Sequence, residues 1–282
     1  MRWCYLAIFL VFPLVLVSTV QANSIPAPRI ITLAPNLARL VLTAGAGNYL
    51  VGVSAWSELP KNIPVQIIGD SEHIDAEKIL ALKPNLVLAW SGGTPPYIIR
   101  QLKNLGLKVV KINTQKLEDI APALKEIGRL SGTGIIANKA ATQFNERLNQ
   151  LRKSQTHQLS LSVFIDIWDH PLMTVNGTSF MSEAVKVCNG HNIYADNPLP
   201  TPLVSIESLI SLNPDVIITF SPQSQSIWLN RQFPKAAQAG EIITLNANNF
   251  TQATPDIIKE IGLLCKDFDG IRNSAKRTEQ KN

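Results

Sequence analysis

Two stretches of this chain repeat one another 130 residues apart, and the repeat sharply limits what the chain can fold into. One copy, AEKILALKPNLVLAWS, covers residues 76–91; the other, IESLISLNPDVIITFS, covers residues 206–221. Glu77 matches Glu207, Leu82 matches Leu212, Pro84 matches Pro214 and Ser91 matches Ser221. In each copy, apolar residues at helical spacing (Ile79, Leu80 and Leu82; Leu209, Ile210 and Leu212) lead up to the proline. A helix is expected to end there, because the residue before a proline is driven out of the helical region. An unbroken apolar run follows, residues 86–90 and 216–220. A run without alternation predicts a strand buried on both faces, hence a parallel sheet with helices on each side.

Short β-branched runs at 29–33, 50–53, 108–112, 163–167 and 242–245 supply further strands, and residues 36–44 and 117–130 have helical periodicity. Alternating strand and helix means α/β. Between the repeats, residues 134–153 carry Ile135, Ile136, Ala140, Phe144, Leu148 and Leu151 with charges interspersed. That pattern predicts an amphipathic helix of about twenty residues, some 30 Å long. The expected fold is therefore α/β, two Rossmann-like lobes with parallel-rich sheets joined by one long backbone α-helix. The boundaries read as an N-terminal lobe over 23–132, a linking helix over 133–156, a C-terminal lobe over 157–270 and a polar, frayed tail over 271–282. Residues 1–22 read as a cleaved signal peptide: Arg2, an apolar stretch over 5–17, and Val20-Gln21-Ala22 as the cleavage site, which makes Asn23 the first mature residue and the periplasm the destination.

Export bears on the cysteines. With Cys4 removed, Cys188 and Cys265 remain, and two cysteines in an oxidising compartment pair. The formal net charge of +5 is modest and scattered, with its densest group in the tail, so no nucleic-acid surface is expected. No nucleophile-elbow, zincin, Walker or dinucleotide motif is present, and the four histidines are dispersed. The chain reads as a binding protein, not an enzyme, with no metal site. Asp166, Asp169 and His170 lie together after the strand at 163–167, near the expected cleft, and read as surface polarity, with a ligand contact as the lesser alternative.

Ligands of parallel sheets bind beyond the carboxyl ends of the strands. Trp56 and Trp90 fall at such ends, with Gly92 and Gly93 beside the latter allowing a close backbone approach. Asn248, Asn249, Phe250, Thr251 and Gln252 follow another strand and offer amide and hydroxyl groups around an aromatic ring. Packing tryptophans and an asparagine-rich turn are the plainer alternatives, and the residues alone leave both open.

The blocks RIITLAP, YLVGVS, EKILALKPNLVLAWSGG, LGLKV, VCNGHNIYAD and VSIESLISLNPDVII, with the final LC at Cys265, resemble the class III periplasmic substrate-binding proteins, and within them the vitamin B12-binding branch. The resemblance spans nearly the whole mature chain. It implies a monomer that holds cobalamin between its lobes as transported ligand and not as cofactor. It also implies delivery to the permease dimer of an ABC importer with its ATPase subunits. Trp56 stands where the branch has a tyrosine that contacts cobalamin, Trp90 at a matching pocket tryptophan, and residues 248–252 at a ligand-lining loop in which only Phe250 is identical. Glu77 and Glu207 match the paired glutamates that dock onto arginines of the permease. Cys188 and Cys265 match the family disulfide. Two further pocket tryptophans of the branch are replaced by Ser71 and Thr201, which points to a wider or more polar pocket. Another corrinoid, haem (with His73 or Tyr97 as iron ligand) or a siderophore is the alternative cargo.

Overall fold

The computed structural model describes residues 27–70, 72–230 and 234–279, so the leader and Ser71 lie outside it. The N-terminal lobe contains β1 (Ile30–Thr32), α1 (Pro35–Thr43), β2 (Leu50–Val53), β3 (Gln66–Ile67), α2 (Ala76–Ala81), β4 (Leu86–Trp90), α3 (Pro96–Asn104), β5 (Val109–Ile112) and α4 (Ile120–Ser131). Helix α5 (Gly134–Gln155) follows. The C-terminal lobe contains β6 (Leu161–Ile165), a small hairpin of β7 (Trp168–Asp169) and β8 (Leu172–Met173), α6 (Phe180–Val187), β9 (Gly190–Asn192), α7 (Ile206–Leu212), β10 (Val216–Thr219), α8 (Pro222–Leu229), α9 (Lys235–Ala239), β11 (Ile242–Thr244), α10 (Ala247–Phe250) and α11 (Ile257–Glu279).

The strands form two parallel sheets, ordered β3-β2-β1-β4-β5 and β11-β10-β6-β9. In each sheet the chain runs outward on one side and then crosses to the other. The reversal lies between β1 and β4 in the first sheet, and between β6 and β10 in the second. Such switch points leave a crevice at the carboxyl ends of the strands.

The repeat is structural as well as sequential. Ile79 and Leu209 are the fully buried residues of α2 and α7. Lys83 and Asn213, each just before its proline, have left-handed backbones with φ of 46° and 42°. This conformation ends the helix while avoiding the region a following proline forbids. Two residues on, Asn85 and Asp215 hold the start of the first strand of their own sheets: Asn85 Oδ1 accepts from the N–H of Arg29, the residue before β1, at 2.8 Å, and Asp215 Oδ2 accepts from Ser162 N in β6 at 2.9 Å.

The lobes share a core. One contiguous apolar cluster runs from the inner face of the first sheet (Ile30, Leu86, Leu88) through α1, α4 and α5 to the inner face of the second (Val163, Ile165, Val216, Ile218). Separate clusters cover the outer face of each sheet. Helix α5 presents Ala137, Ala141, Phe144 and Leu148, one stripe at i, i+4, i+7 and i+11, to the shared core. Its backbone lies so close to α4 that a Cβ on Gly128 would sit 2.3 Å from the Ala137 Cβ. Polar ties add to this union: Arg39 of α1 pairs with Asp256 at 2.9 Å through Nε, and Leu117 N–H donates to Glu183 Oε2 at 2.8 Å.

Helix α11 continues to Glu279, so residues 271–279 are helical where a frayed tail was expected; residues 280–282 lie outside the described residues. Arg272 is only 2% exposed. Its guanidinium donates to the carbonyls of Leu159 and Cys188 and to Gln155 Oε1, at 2.6–2.9 Å, and pairs with Asp269 at 2.9 Å. A lone charge at this depth would be costly; the full set of acceptors makes it a staple between α11, α5 and the end of α6. The Cys188–Cys265 disulfide joins α6 to α11 beside it.

The α4–α5 contact gives a direct test. Gly128→Ala gains about 1 kcal/mol of helix propensity but forces the helices apart, and overpacking of this kind costs about 1–3 kcal/mol. Equilibrium urea denaturation is expected to show a less stable variant; an equal or higher midpoint would mean that the contact yields.

Candidate functional site

The described strand ends meet the expectation for a switch-point cleft in both lobes. Beyond β1, β2 and β4, a hollow of about 460 Å³ is lined by residues that include Pro35, Trp56, Trp90 and Thr94. Beyond β6 and β10, a second of about 340 Å³ is lined by Asp166, Trp168, Asp169, His170, Phe220 and Ser224 among others. A smaller space of about 130 Å³ lies between the lobes, with Ala34, Asn36 and Trp90 on one side and Thr251, Gln252 and Ala253 on the other. The mouth is bridged where Asn248 donates to Glu58, two residues beyond Trp56.

Trp56 is 88% exposed, and its backbone is left-handed, with φ of 65°. A bulky residue in that region is strained by about 1–3 kcal/mol, and here the strain sets the indole at the first hollow. Trp90 closes the first hollow from below. Gly92 and Gly93 do allow a close approach, but what they approach is this indole: a Cβ on Gly93 would fall 2.5 Å from its ring, and one on Gly92 2.7 Å. The ring is thereby seated, with its buried Nε1 donor unpartnered.

The loop after β11 divides. Phe250 is not a cleft residue; its ring is fully buried and stacks on Phe220 at 5.8 Å. The reason is local: Phe250 ends the single turn of α10 on the face that turns into the shared core. Asn249 is held by Glu260 Oε1 at 3.1 Å, so its amide fixes the loop. Thr251 donates to Ala247 O at 2.7 Å but still lines the space between the lobes with Gln252. Asn248 is exposed at the bridge to Glu58. Thr201 is exposed and lines none of these hollows. Tyr97 donates its hydroxyl to Glu72 O at 2.7 Å, and neither it nor His73 lines the hollows.

The second hollow holds one aromatic that no sequence pattern marked and one carboxylate read as surface polarity. Trp168 is 61% exposed, its Nε1 pinned to His170 O at 2.9 Å. It sits on a strand of two residues, too short for periodicity to flag. Asp166 is that carboxylate, and its depth in the wall of the hollow corrects the reading as surface polarity. The strand ends at Ile165, two residues earlier than expected, so Asp166 begins the crevice floor and is only 3% exposed. Its Oδ2 accepts from the indole of buried Trp228 at 2.7 Å, while Oδ1 has no partner. Asp169 beside it accepts from Ser224 Oγ at 2.8 Å. Burial pushes the Asp166 carboxyl up to about 7; the Trp228 N–H works against the rise and the Asp169 carboxyl adds to it.

On the outside, Glu77 and Glu207 occupy the same place in their lobes: exposed, second residue of the helix, after side-chain caps Asp75 and Ser205. Neither enters an ion pair among the described residues. Its own backbone N–H, followed by the Ser205 hydroxyl, holds the Glu207 carboxyl below the ordinary glutamate range. One turn on, Leu80 and Ile210 are exposed at matching positions. Each lobe thus presents a carboxylate next to an apolar side chain.

Comparison with known proteins agrees with this fold. The profile of the family described as "Periplasmic binding protein" matches residues 30–257. The chain belongs to that family. It is 33% identical over 262 residues, 91% of each chain, to the vitamin B12-binding protein of Yersinia pestis (strain Pestoides F), and equally to that of Yersinia pseudotuberculosis serotype O:3 (strain YPIII). Its fold superposes on the periplasmic vitamin B12-binding protein BtuF of Vibrio cholerae with a TM-score of 0.79 at 30% identity, covering 87% of this chain and 98% of that one. The periplasmic heme-binding protein RhuT from Roseiflexus sp. RS-1 shares the fold with a TM-score of 0.77 at 18% identity, covering 87% and 99%.

Asp166 supplies a prediction that needs no ligand. A folded-state carboxyl raised above its unfolded value contributes stability that is complete below the unfolded value, near 3.9 for aspartate, and is lost as pH rises through about 7. Asp166→Asn keeps an acceptor for Trp228 and never ionises. Relative to this variant, the wild-type protein is expected to lose stability steadily between pH 4.5 and pH 8 in urea denaturation. Parallel profiles would show that Asp166 does not titrate in that range.

Proposed function

We propose that this protein captures a cobalamin between its lobes in the periplasm and hands it to an ABC importer. The observation that carries the reading is the set of indoles at the two switch points. Of the four tryptophans among the described residues, Trp56, Trp90 and Trp168 line the hollows. A corrin macrocycle is broad, flat, apolar on its faces and rimmed with amides. It is wider than either hollow alone, so it would lie across both, with indole surfaces against its faces and edges. The family membership and the vitamin B12-binding relatives support the choice. The alternatives raised by the sequence, another corrinoid, haem or a siderophore, remain as competing cargo in the same cleft. For haem, the anticipated ligands His73 and Tyr97 do not themselves line the hollows, though each contacts a residue that lines the first, Asp70 and Glu72 respectively.

The role of the helical linker and shared core in this reading is to keep the cleft preformed, with little lobe closure. The protein would act as a monomer, exported by the leader over 1–22, with Asn23 as its first mature residue and the Cys188–Cys265 bond formed after export. Glu77 and Glu207 would dock on basic pockets of the permease dimer, one lobe per subunit. Cobalamin is cargo here, not cofactor.

Isothermal titration of the mature chain with cyanocobalamin is expected to show one tight site. Trp56→Ala and Trp168→Ala should each weaken it by about tenfold, the equivalent of roughly 1.4 kcal/mol of lost aromatic contact. No heat and no visible-absorbance change with a folded sample would remove cobalamin and move the test to cobinamide and haem. The double charge reversal Glu77→Arg/Glu207→Arg is expected to abolish cobalamin uptake by cells while leaving the titrated affinity unchanged; uptake at the wild-type rate would refute the docking role.

A further inference from the structure

The charge of the cleft runs against the charge of the protein. Lysine and arginine outnumber aspartate and glutamate by 26 to 21 over the whole chain. Yet among the described residues no lysine or arginine lines any of the three hollows. Carboxylates line both walls instead. Asp70 and Glu72 stand in the wall of the first hollow, and Asp169 in that of the second. Glu58 adds another at the mouth, where Asn248 bridges to it. These residues come from three separate segments in the two lobes, so the pattern belongs to the cleft and not to one acidic stretch.

The carboxylates of the walls are accessible, and two of them are held in place. The Asp70 side chain is half exposed, and its Oδ1 accepts from the N–H groups of His73 and Glu72 at 2.7 and 2.9 Å. Those bonds hold its carboxyl below the ordinary aspartate range, so it stays ionised at neutral pH. Glu72 is exposed, and Asp169 is partly exposed with Oδ2 accepting from Ser224 Oγ at 2.8 Å. Among the described residues no lysine or arginine pairs with any of them. Arg39, which reaches between the lobes, is taken up by Asp256. An asparagine would accept the same hydrogen bonds at Asp70 and at Asp169, so the local structure does not require the charge.

We propose that Asp70, Glu72 and Asp169 set the charge selectivity of the cleft: they admit a macrocycle that is neutral or cationic overall and reject one rimmed with carboxylates. This inference rests on the cobalamin reading and deepens it. The rim amides of a corrin are uncharged and can donate to carboxylates. Cyanocobalamin is neutral overall, because its cobalt centre offsets the phosphodiester and the ring. A carboxylate in place of a rim amide would meet like charges where the bound macrocycle has displaced water, and repulsion there exceeds its value in open solvent. Selection by repulsion turns away the wrong cargo without a tighter hold on the right one. Among the competing cargoes, haem with its propionates and the anionic siderophores are the ones this rule turns away.

Calorimetric titrations at pH 8, where histidine side chains are ordinarily neutral, compare cyanocobalamin with its monocarboxylic acids, in which one rim amide is hydrolysed. Hydrolysis also removes a donor, so the readout is the ratio of the two affinities, in the wild-type protein and in Asp70→Asn/Glu72→Gln/Asp169→Asn. For at least one isomer the wild-type ratio is expected to be about tenfold at low ionic strength and to shrink as salt is added. In the variant it should fall to about threefold or less, and haem, followed by absorbance, should bind the variant more tightly than the wild type. A wild-type ratio near one for every isomer overturns the charge rule and leaves the cobalamin reading intact. So does a ratio that neither salt nor the substitutions move. Should the triple variant not fold, Asp70→Asn, which keeps the acceptor, replaces it, and a ratio unmoved by this change and by salt counts against the rule. No binding of cyanocobalamin overturns the cobalamin reading and the charge rule with it.

Discussion

The arrangement depends first on the packing of α4 against α5. Gly128 lets the two helix backbones approach until Ala137 fills the space where a side chain would be. Through that contact the linking helix becomes part of the N-terminal lobe, and its stripe of Ala141, Phe144 and Leu148 carries the same apolar core into the C-terminal lobe. A hinge closure would have to shear this core, and packed interiors deform in discrete steps, not continuously. The two switch points are therefore held at a fixed separation by the interior of the molecule. The Arg39–Asp256 pair, the Leu117–Glu183 hydrogen bond and the Arg272 staple lock the same relation from the surface and from the far side.

A cleft that does not close cannot gain its affinity by folding around a ligand, so its surfaces have to be ready beforehand. Trp56 is held in a strained, exposed conformation, the Trp90 ring is seated by two glycines, and Trp168 is pinned through its indole nitrogen. Each arrangement reduces the freedom a free side chain would lose on binding.

Much of the framework was legible because it repeats. Parallel strands buried on both faces leave unbroken apolar runs, and two copies of one helix–proline–strand unit announce two lobes. What the repeat could not convey was depth. Phe250 and Trp168 are both aromatic residues just beyond strands, yet one is stacked on Phe220 in the core and the other stands in solvent. The difference is set by which neighbour the next turn meets, and no local pattern encodes that. Arg272 failed for the same reason. A basic residue near a polar terminus reads as solvated, and only the convergence of three distant acceptors, Leu159, Gln155 and Cys188, makes its burial tolerable. Asp166 was visible as part of an acidic cluster; two residues of strand register decided whether it lay on the surface or on the crevice floor.

That register also separates the two lobes chemically. At the matching switch points the N-terminal lobe has the Trp90 indole in the wall of its hollow, and the C-terminal lobe the Asp166 carboxyl. A repeat conserves backbone geometry, since Asn85 and Asp215 or Lys83 and Asn213 do the same work in each copy. It places no such demand on the crevice floors, whose side chains differ between the lobes. On the outside the demand returns: Glu77 with Leu80 and Glu207 with Ile210 are kept alike. Likeness outside and difference inside are what a bilobed carrier requires if its cargo is asymmetric and its receptor is two-fold.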